Sequence, residues 1–121
     1  MHSLIQDPET VALVAHDGPL LRGLAVMQFG DEHAHLALLC VQAAQQRQGI
    51  GQRLMEWLLA SAQVAGVVSI RLELRADNDV GLAFYQRLGF TETQLVEAYY
   101  DGRIAARRMR LWVGKPTPPT L

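Results

Sequence analysis

The chain is poor in cysteine, in long apolar runs and in net charge, and each shortage excludes a class of protein. A single cysteine among 121 residues excludes an intrachain disulfide. No stretch approaches the roughly 18 uninterrupted apolar residues of a membrane span, and the first residues lack the basic start and apolar core of a signal peptide. A formal net charge of −1 gives no sign of bulk nucleic-acid binding. We therefore expect a cytoplasmic protein without a membrane or nucleic-acid partner.

The composition is typical of a folded globular domain. Half of the residues are hydrophobic and 19% are charged, and a chain of this length buries about two-thirds of its unfolded surface. Residues 1–113 are expected to form one domain, and the proline-rich residues 114–121 an extended tail. Cys40 lies within an apolar run and is predicted to be a core residue rather than a nucleophile.

Apolar periodicity predicts a mixed α/β (α+β) order of elements. Three strands separated by short turns are typical of an antiparallel meander, and the strand–helix–strand unit that follows implies a right-handed crossover between parallel strands. A second helix and a closing hairpin complete the chain. The predicted strands cover residues 10–15, 20–29, 34–41, 67–74, 91–99 and 103–113, and the predicted helices cover residues 51–65 and 79–88.

The loop at residues 46–51 joins a predicted buried strand to a predicted helix. Gly49 and Gly51 permit positive φ angles and a close approach of an anion to the backbone, and the helix N-terminus adds unpaired N–H groups with partial positive charge. No Gly-Lys-Ser/Thr follows, and Leu54 stands where a dinucleotide-binding fingerprint has its third glycine. The loop therefore indicates either a phosphate or pyrophosphate site or an ordinary strand-to-helix turn.

Three motifs in this order resemble those of the GNAT superfamily, the acetyl-CoA-dependent N-acetyltransferases. The resemblance covers roughly residues 10–113, and residues 72–110 look most like the bacterial ribosomal-protein N-terminal alanine acetyltransferases. It implies a GNAT-like mixed sheet whose two parallel strands splay apart to receive the pantetheine arm and the acceptor amine. The motifs are Gln46-x-x-Gly49-x-Gly51, Leu72-Glu73-Leu74-Arg75-Ala76-Asp77-Asn78 and Tyr85-Gln86-Arg87-Leu88-Gly89-Phe90.

The resemblance implies two catalytic residues. It places the Tyr85 hydroxyl near the CoA sulfur, where a phenol can supply a proton, and it matches Glu73 to the general base. The alternative for Tyr85 is a residue that packs a helix face. The alternative for Glu73 is a carboxylate on a solvated strand face, or one paired with Arg71 or Arg75.

The same resemblance implies a cofactor site formed largely by the backbone. Leu39, Cys40 and Val41 would offer main-chain groups to the pantetheine and acetyl carbonyl, with the Val41 N–H as the oxyanion donor. Asn78 would hydrogen-bond the pantetheine, or cap the second helix, or do both. The pyrophosphate cradle would comprise Gln46, Arg47, Gln48, Gly49, Ile50, Gly51 and Gln52.

Histidines and arginines give weaker signals. His33 and His35 share one strand face, but no cysteine or carboxylate completes a convincing zinc set, so no metal is expected. As alternative bases, Glu32, His33 and His35 are expected to lie far from the splay, because they begin their strand. The arginines of the last predicted strand indicate either contact with an acidic acceptor or phosphate, or simply a solvated face. They are Arg103, Arg107, Arg108 and Arg110.

The resemblance implies transfer of an acetyl group from acetyl-CoA to a primary amine, such as a protein N-terminus or a small molecule, by direct attack in a ternary complex. Members of the family usually carry an extra strand and one or two helices before the first hairpin, where this sequence has about ten residues. A homodimer is therefore expected, with the partner completing the acceptor site or covering the edge of the first strand. The alternatives are a catalytically degenerate CoA-binding regulatory module and a structural dimerisation domain.

Overall fold

The computed structural model describes residues 9–42, 49–97 and 104–114 in full, and residues 2–3 and 98–100 as backbone. One seven-stranded sheet has the strand order β1-β2-β3-β4-β5-β7-β6. The elements are β1 (His2–Ser3), β2 (Thr10–Asp17), β3 (Leu20–Phe29), β4 (His33–Val41), α1 (Ile50–Ala65), β5 (Ser69–Arg75), α2 (Asp79–Arg87), β6 (Thr91–Tyr100) and β7 (Ile104–Trp112). The predicted mixed fold with a meander, a parallel βαβ unit and a C-terminal hairpin is confirmed.

The sheet changes from antiparallel to parallel at its centre. β2, β3 and β4 form the antiparallel meander, and α1 connects β4 to its parallel neighbour β5. β7 then lies antiparallel between β5 and β6. The first predicted strand corresponds to β2, and the two-residue β1 pairs with it at Leu13 and Val14. The expectation that this strand is an exposed edge of the sheet is therefore wrong at these residues.

Both helices pack on the same face of the sheet. Leu54, Leu58 and Ala62 repeat every four residues along α1 and are fully buried, and Gly66 ends the helix at a φ of 80°. A Cβ built on Gly51 would lie 3.4 Å from the Phe84 ring of α2, so the two helices meet at the start of α1. Their common core includes Leu36, Ile70, Leu72, Met109 and Phe90.

The opposite face of β5 and β7 is polar. Along β5, Ile70, Leu72 and Leu74 are buried, whereas Arg71 and Glu73 alternate with them and point to the other side. Neither helix of the described part of the chain covers this side. The strand begins at Ser69 rather than at the predicted residue 67, because Val67 is buried beyond the end of α1 and donates to the Ala62 carbonyl.

Candidate active site

A gap opens between the two central strands. β4 and β5 pair only through residues 33–35 and 69–71, and they separate beyond that point although both strands continue. β4 stays paired with β3 on its other side up to Val41. One edge of β4 therefore faces an opening in which an extended ligand can meet backbone groups, and the predicted splay is confirmed.

A β-bulge turns the side chains of β4 where the gap begins. Ala37 is skipped in the pairing with β3. Leu36 before it is buried, and after it Leu39 and Val41 are half-buried while Cys40 is exposed. The prediction of Cys40 as a core residue is wrong, because strict alternation from Leu36 would point it inward and the bulge reverses that alternation.

The hydrogen bonds of β4 show which way its backbone N–H groups point at the gap. The Gln42 N–H donates to the Arg22 carbonyl of β3 at 3.0 Å. Since successive N–H groups of a strand point to opposite edges, the Val41 N–H points toward the gap. This orientation agrees with the oxyanion role predicted for Val41.

The carboxylate of Glu73 lies at the gap in contact with a histidine. His35 Nε2 is 3.0 Å from Oε2 and 3.2 Å from Oε1 of Glu73. The two side chains are 40% and 21% exposed, so both are shielded but reachable from solvent. An ionised carboxylate can only accept, so His35 donates from Nε2. Glu73 is thus neither free in solvent nor paired with Arg71 or Arg75, and Arg75 bonds Asp77 instead.

The expectation that His35 lies far from the splay is wrong. His35 is the last β4 residue paired with β5, opposite Arg71, so the gap opens immediately beyond it. The sequence shows that His35 and Glu73 lie on different strands, but it does not show the register between those strands. His33, two residues earlier, instead contacts the hydroxyl of the buried Ser69 at 2.6 Å.

Tyr85 is held in an aromatic cluster on α2. Its ring lies edge-on to Phe84 and Phe90, with centroid distances of 5.2 and 5.5 Å. Burial raises the pKa of the Tyr85 phenol to about 12, with a smaller contribution from the nearby Cys40 thiol. The hydroxyl therefore keeps its proton throughout the neutral range and can act as a donor.

Tyr85 and Glu73 approach the gap from opposite faces of the sheet. Tyr85 packs against the core cluster beneath the two helices. Glu73 points away from that core, because its strand neighbours Leu72 and Leu74 are buried in it. A ligand that passes through the gap would have a phenol on one side and a carboxylate on the other.

The N-terminus of α1 is open to an anion. Gly49 is its N-cap at a φ of 76° and has no side chain with which to cap it, and no acidic residue lies in the first turn. The first N–H groups of a helix have no partner within the helix. Of the two glycines that permit positive φ, Gly49 adopts it, whereas Gly51 is helical.

The structure describes only some of the remaining residues of the predicted pyrophosphate cradle. Gln46, Arg47 and Gln48 lie outside the described residues. Ile50 is buried, so only its backbone can face a ligand. The Gln52 amide donates to Glu56 along the helix at 3.1 Å.

Asn78 caps the second helix. Its Oδ1 accepts a hydrogen bond from the Gly81 N–H at 2.8 Å, which confirms the predicted capping role. The side chain is otherwise exposed. Its amide NH₂ remains the group with which it could meet a ligand.

A polar groove of about 580 Å³ lies on the face that carries Glu73. We call it the arginine groove, and its lining includes His35, Glu73, Arg71, Arg108 and Arg110. Arg108 donates to Gln94 at 3.0 Å. The sequence places Arg108 and Arg110 on one strand but does not show that Arg71 lies beside them, because this pairing depends on β5 and β7 becoming neighbours.

Two further kinds of feature are absent from the described ranges. No group of three or more histidine, cysteine, aspartate or glutamate residues there is placed to hold a metal ion. Neither α1 nor α2 is long and apolar enough to cross a membrane.

Comparison with known families decides the assignment of the fold. The model of the acetyltransferase (GNAT) domain matches residues 7–92. The chain belongs to the GNAT family. This confirms the predicted resemblance, and the matched range spans the gap, the α1 N-terminus, Glu73 and Tyr85.

Individual GNAT proteins are similar to this chain to different extents. The ribosomal protein bS18-alanine N-acetyltransferase of Escherichia coli strain K12 is 36% identical over 94 residues, which cover 75% of this chain and 64% of that protein. The N-alpha-acetyltransferase RimI of Mycobacterium tuberculosis is 47% identical over 60 residues, or 50% of this chain and 36% of that protein. The chain thus spans less than two-thirds of the length of these curated relatives.

A solved GNAT structure shows the same architecture. The crystal structure of the ribosomal-protein-S18-alanine N-acetyltransferase from Escherichia coli superposes on this chain with a TM-score of 0.86 at 29% identity. The aligned region covers 96% of this chain and 77% of the Escherichia coli chain. The overall fold of this GNAT domain therefore also occurs in a solved enzyme.

Proposed function

We propose that this GNAT domain, residues 1–113, transfers an acetyl group from acetyl-CoA to a primary amine, with a protein N-terminus as the first acceptor to test. The observation that carries the proposal is the β4–β5 gap, which has Glu73 on one face of the sheet and Tyr85 on the other. The relatives named for N-terminal acetylation support the class of acceptor.

Glu73 is proposed to make the acceptor amine nucleophilic. An ammonium has no lone pair with which to attack, and an α-amino group with a pKa of about 8 loses its proton far more easily than a lysine at about 10.4. Glu73 would take that proton, directly or through a water. His35 Nε2, hydrogen-bonded to both carboxylate oxygens, would hold the carboxylate in position.

The β4 backbone and Tyr85 are proposed to handle the thioester. Acetyl-CoA supplies an activated acyl carbon, whose bond to sulfur breaks as the bond to nitrogen forms. The Val41 N–H, which points to the gap, would stabilise the carbonyl oxygen as it gains charge. Tyr85 would donate a hydrogen bond to the departing sulfur, and the second proton that the nitrogen loses as the amide forms would pass through solvent to the thiolate. Full proton transfer from a phenol with a pKa of about 12 to a thiolate, whose acid has a pKa near 8.5, would be unfavourable.

The chain contains groups that fit the remainder of the cosubstrate. The N-terminus of α1, whose N-cap Gly49 lacks a side chain and has a left-handed conformation, would accept the pyrophosphate together with Gln46, Arg47, Gln48, Ile50, Gly51 and Gln52. Leu39 and Cys40 would border the pantetheine along β4, and the Asn78 amide NH₂ would donate to it.

The experiment that tests this function has two stages. Isothermal titration with acetyl-CoA and with desulfo-CoA, which lacks the sulfur, should give micromolar binding of both because the pyrophosphate and pantetheine contacts are shared. Peptides that begin with Ala or Ser should then be acetylated at their α-amino group, as measured by mass spectrometry. Binding without transfer would favour a degenerate regulatory module, and a folded protein that does not bind would favour a structural domain.

We also propose a homodimer and a cytoplasmic location. The edge strand β6 is ten residues long and carries Leu95 at 46% exposure, and such an edge is suited to pairing with a second copy. Light scattering after size exclusion would test the dimer, since a monomer mass at micromolar concentration would contradict it. The proposed location follows from the supply of acetyl-CoA in the cytoplasm, and cell fractionation would test it.

A further inference from the structure

Two arginines face each other across neighbouring strands in the arginine groove. Arg71 of β5 is the direct antiparallel partner of Arg110 of β7. Side chains in such positions lie on the same face of a sheet, about 4.5–5.5 Å apart at their Cβ atoms. Arg108 lies opposite Glu73, in the next pair of β5 and β7 residues whose side chains share this face. It places a third guanidinium in the same groove.

The three arginines of this cluster outnumber the one carboxylate that lines the groove, Glu73, which lies opposite Arg108. Among the described residues, the ion pairs join Glu73 to His35, Glu32 to His33, Asp77 to Arg75 and Glu92 to Arg107. None of them involves Arg71, Arg108 or Arg110. Like charges directly opposite each other destabilise a sheet, so an anion between Arg71 and Arg110 would relieve a repulsion as well as add an attraction.

Arg110 has an unmet hydrogen-bonding group. Its Nε is buried and has no partner among the described residues, although most buried polar atoms in proteins are satisfied. Its guanidinium lies 5.2 Å from the ring centroid of Trp112, which is on the same face of the strand. The ring therefore holds the guanidinium on this face of the strand, and one of its donors lacks a partner among the described residues.

The distance between Arg110 and Glu73 indicates which residue of an acceptor peptide would carry the anion. Arg110 is a diagonal cross-strand neighbour of Glu73, about 7–8 Å away between backbone positions. An extended peptide advances about 3.3 Å per residue. With its α-amino group at Glu73, a peptide would therefore bring the side chain of its second or third residue to Arg71 and Arg110.

We propose that the arginine groove is an acceptor subsite for a carboxylate, so that the preferred acceptor carries Asp or Glu at its second or third residue. The expected effect on turnover rests on the proposed acetyl transfer. The expected binding of a carboxylate is inferred from the arginines alone. A carboxylate fits because two oxygens can accept from a guanidinium in parallel.

Binding is measured first, independently of turnover. The probes are the N-acetylated product peptides Ala-Asp-Asp-Ser-Gly and Ala-Asn-Asn-Ser-Gly, titrated calorimetrically in low salt. The acidic peptide should bind at least about tenfold more tightly, and this preference should shrink in 0.5 M salt because charge interactions are screened. Equal affinity for the two peptides would overturn the proposal.

Variants then locate the preference. Arg71→Gln and Arg110→Gln should each reduce the ratio of acidic to neutral affinity to less than about threefold. Arg87→Gln, which removes an exposed arginine from α2 on the opposite face, should leave the ratio unchanged. Thermal melts should show that Arg71→Gln is at least as stable as the wild type, because the substitution removes a repulsion. A preference that survives in both groove variants would also overturn the proposal.

Turnover separates this inference from the proposed function. With the unacetylated peptides, kcat/KM should favour the acidic sequence at least about tenfold, and Arg71→Gln should lower this ratio mainly through KM. Equal kcat/KM values for both peptides would refute the subsite and leave the acetyltransferase proposal intact. If neither peptide is acetylated, the function fails for these acceptors, and the binding ratio still decides the subsite.

Discussion

Around the β4–β5 gap, the helix-bearing side of the sheet is apolar and aromatic, whereas the opposite side carries Glu73, His35 and the arginine groove. The first side offers a buried phenol, a helix N-terminus and the strand backbone. The second offers titratable and charged side chains. This difference suggests a division of labour in which the helix side binds the cosubstrate and the other side activates and selects the acceptor.

The division predicts how substitutions should behave. Changes on the acceptor side should alter kcat or the KM for the amine while the affinity for acetyl-CoA is unchanged. Changes on the helix side should alter the stability of the fold, or the binding and reaction of acetyl-CoA.

Glu73→Gln is expected to have the largest effect. The amide cannot accept the amine proton, so kcat should fall by about 100-fold to 1,000-fold, while the dissociation constant for acetyl-CoA stays within about twofold. Steady-state kinetics and calorimetry measure the two quantities. Asp31→Asn, in the turn at the opposite end of β4 from the gap, is the matched carboxylate control and should retain wild-type kcat. A Glu73→Gln enzyme with kcat within twofold of wild type would remove Glu73 from catalysis.

Tyr85→Phe should lower kcat by about 10-fold to 100-fold, because a hydrogen bond to a charged group contributes about 1.5–3 kcal/mol. The aromatic packing against Phe84 and Phe90 remains, so stability at neutral pH and acetyl-CoA affinity should change little. Unchanged turnover would show that the hydroxyl has no role in the transfer. Loss of acetyl-CoA binding would instead show that the ring was displaced.

The raised pKa of Tyr85 gives the same variant a second readout. In the folded wild type, one of the three tyrosines should ionise near pH 12 by phenolate absorbance, and this step should be missing in Tyr85→Phe. Because the folded pKa lies above the unfolded value of about 10, the folded state holds its proton more tightly. The stabilising contribution is complete below pH 10 and is lost as the pH rises toward 12, so the unfolding free energy of wild type should fall more steeply over this interval than that of the variant.

The helix side of the site was more predictable from sequence than the acceptor side, because its features are local. The motif order placed Gly49 at the start of α1 and Asn78 at the start of α2, and the structure has both as N-caps. The contact between His35 and Glu73 depends on the register between two strands separated by a helix. The exposure of Cys40 depends on a single unpaired residue, Ala37, and alternation alone cannot locate a bulge.

His35→Leu should lower kcat by about fivefold to tenfold, since Glu73 would lose the donor that fixes its carboxylate. His35→Gln should restore part of the rate, because a side-chain amide can still donate. A purely structural role would not be rescued in this way. The matched control is His33→Leu on the same strand, which removes the contact with buried Ser69. This control should lower the melting temperature and leave kcat nearly unchanged, and equal loss of kcat in both leucine variants would contradict a positioning role for His35.

Asn78 should give the smallest effects and allow its two roles to be separated. Asn78→Ala removes the acceptor for the Gly81 N–H, which should cost about 1 kcal/mol of unfolding free energy, and it should also raise the KM for acetyl-CoA a few-fold. Asn78→Asp keeps an acceptor oxygen at the helix N-terminus but loses the NH₂ group. It should therefore retain wild-type stability in denaturant melts while showing the same increase in KM. If Asn78→Asp has wild-type KM, the amide does not donate to the cosubstrate, and Asn78 serves the helix side only as a cap.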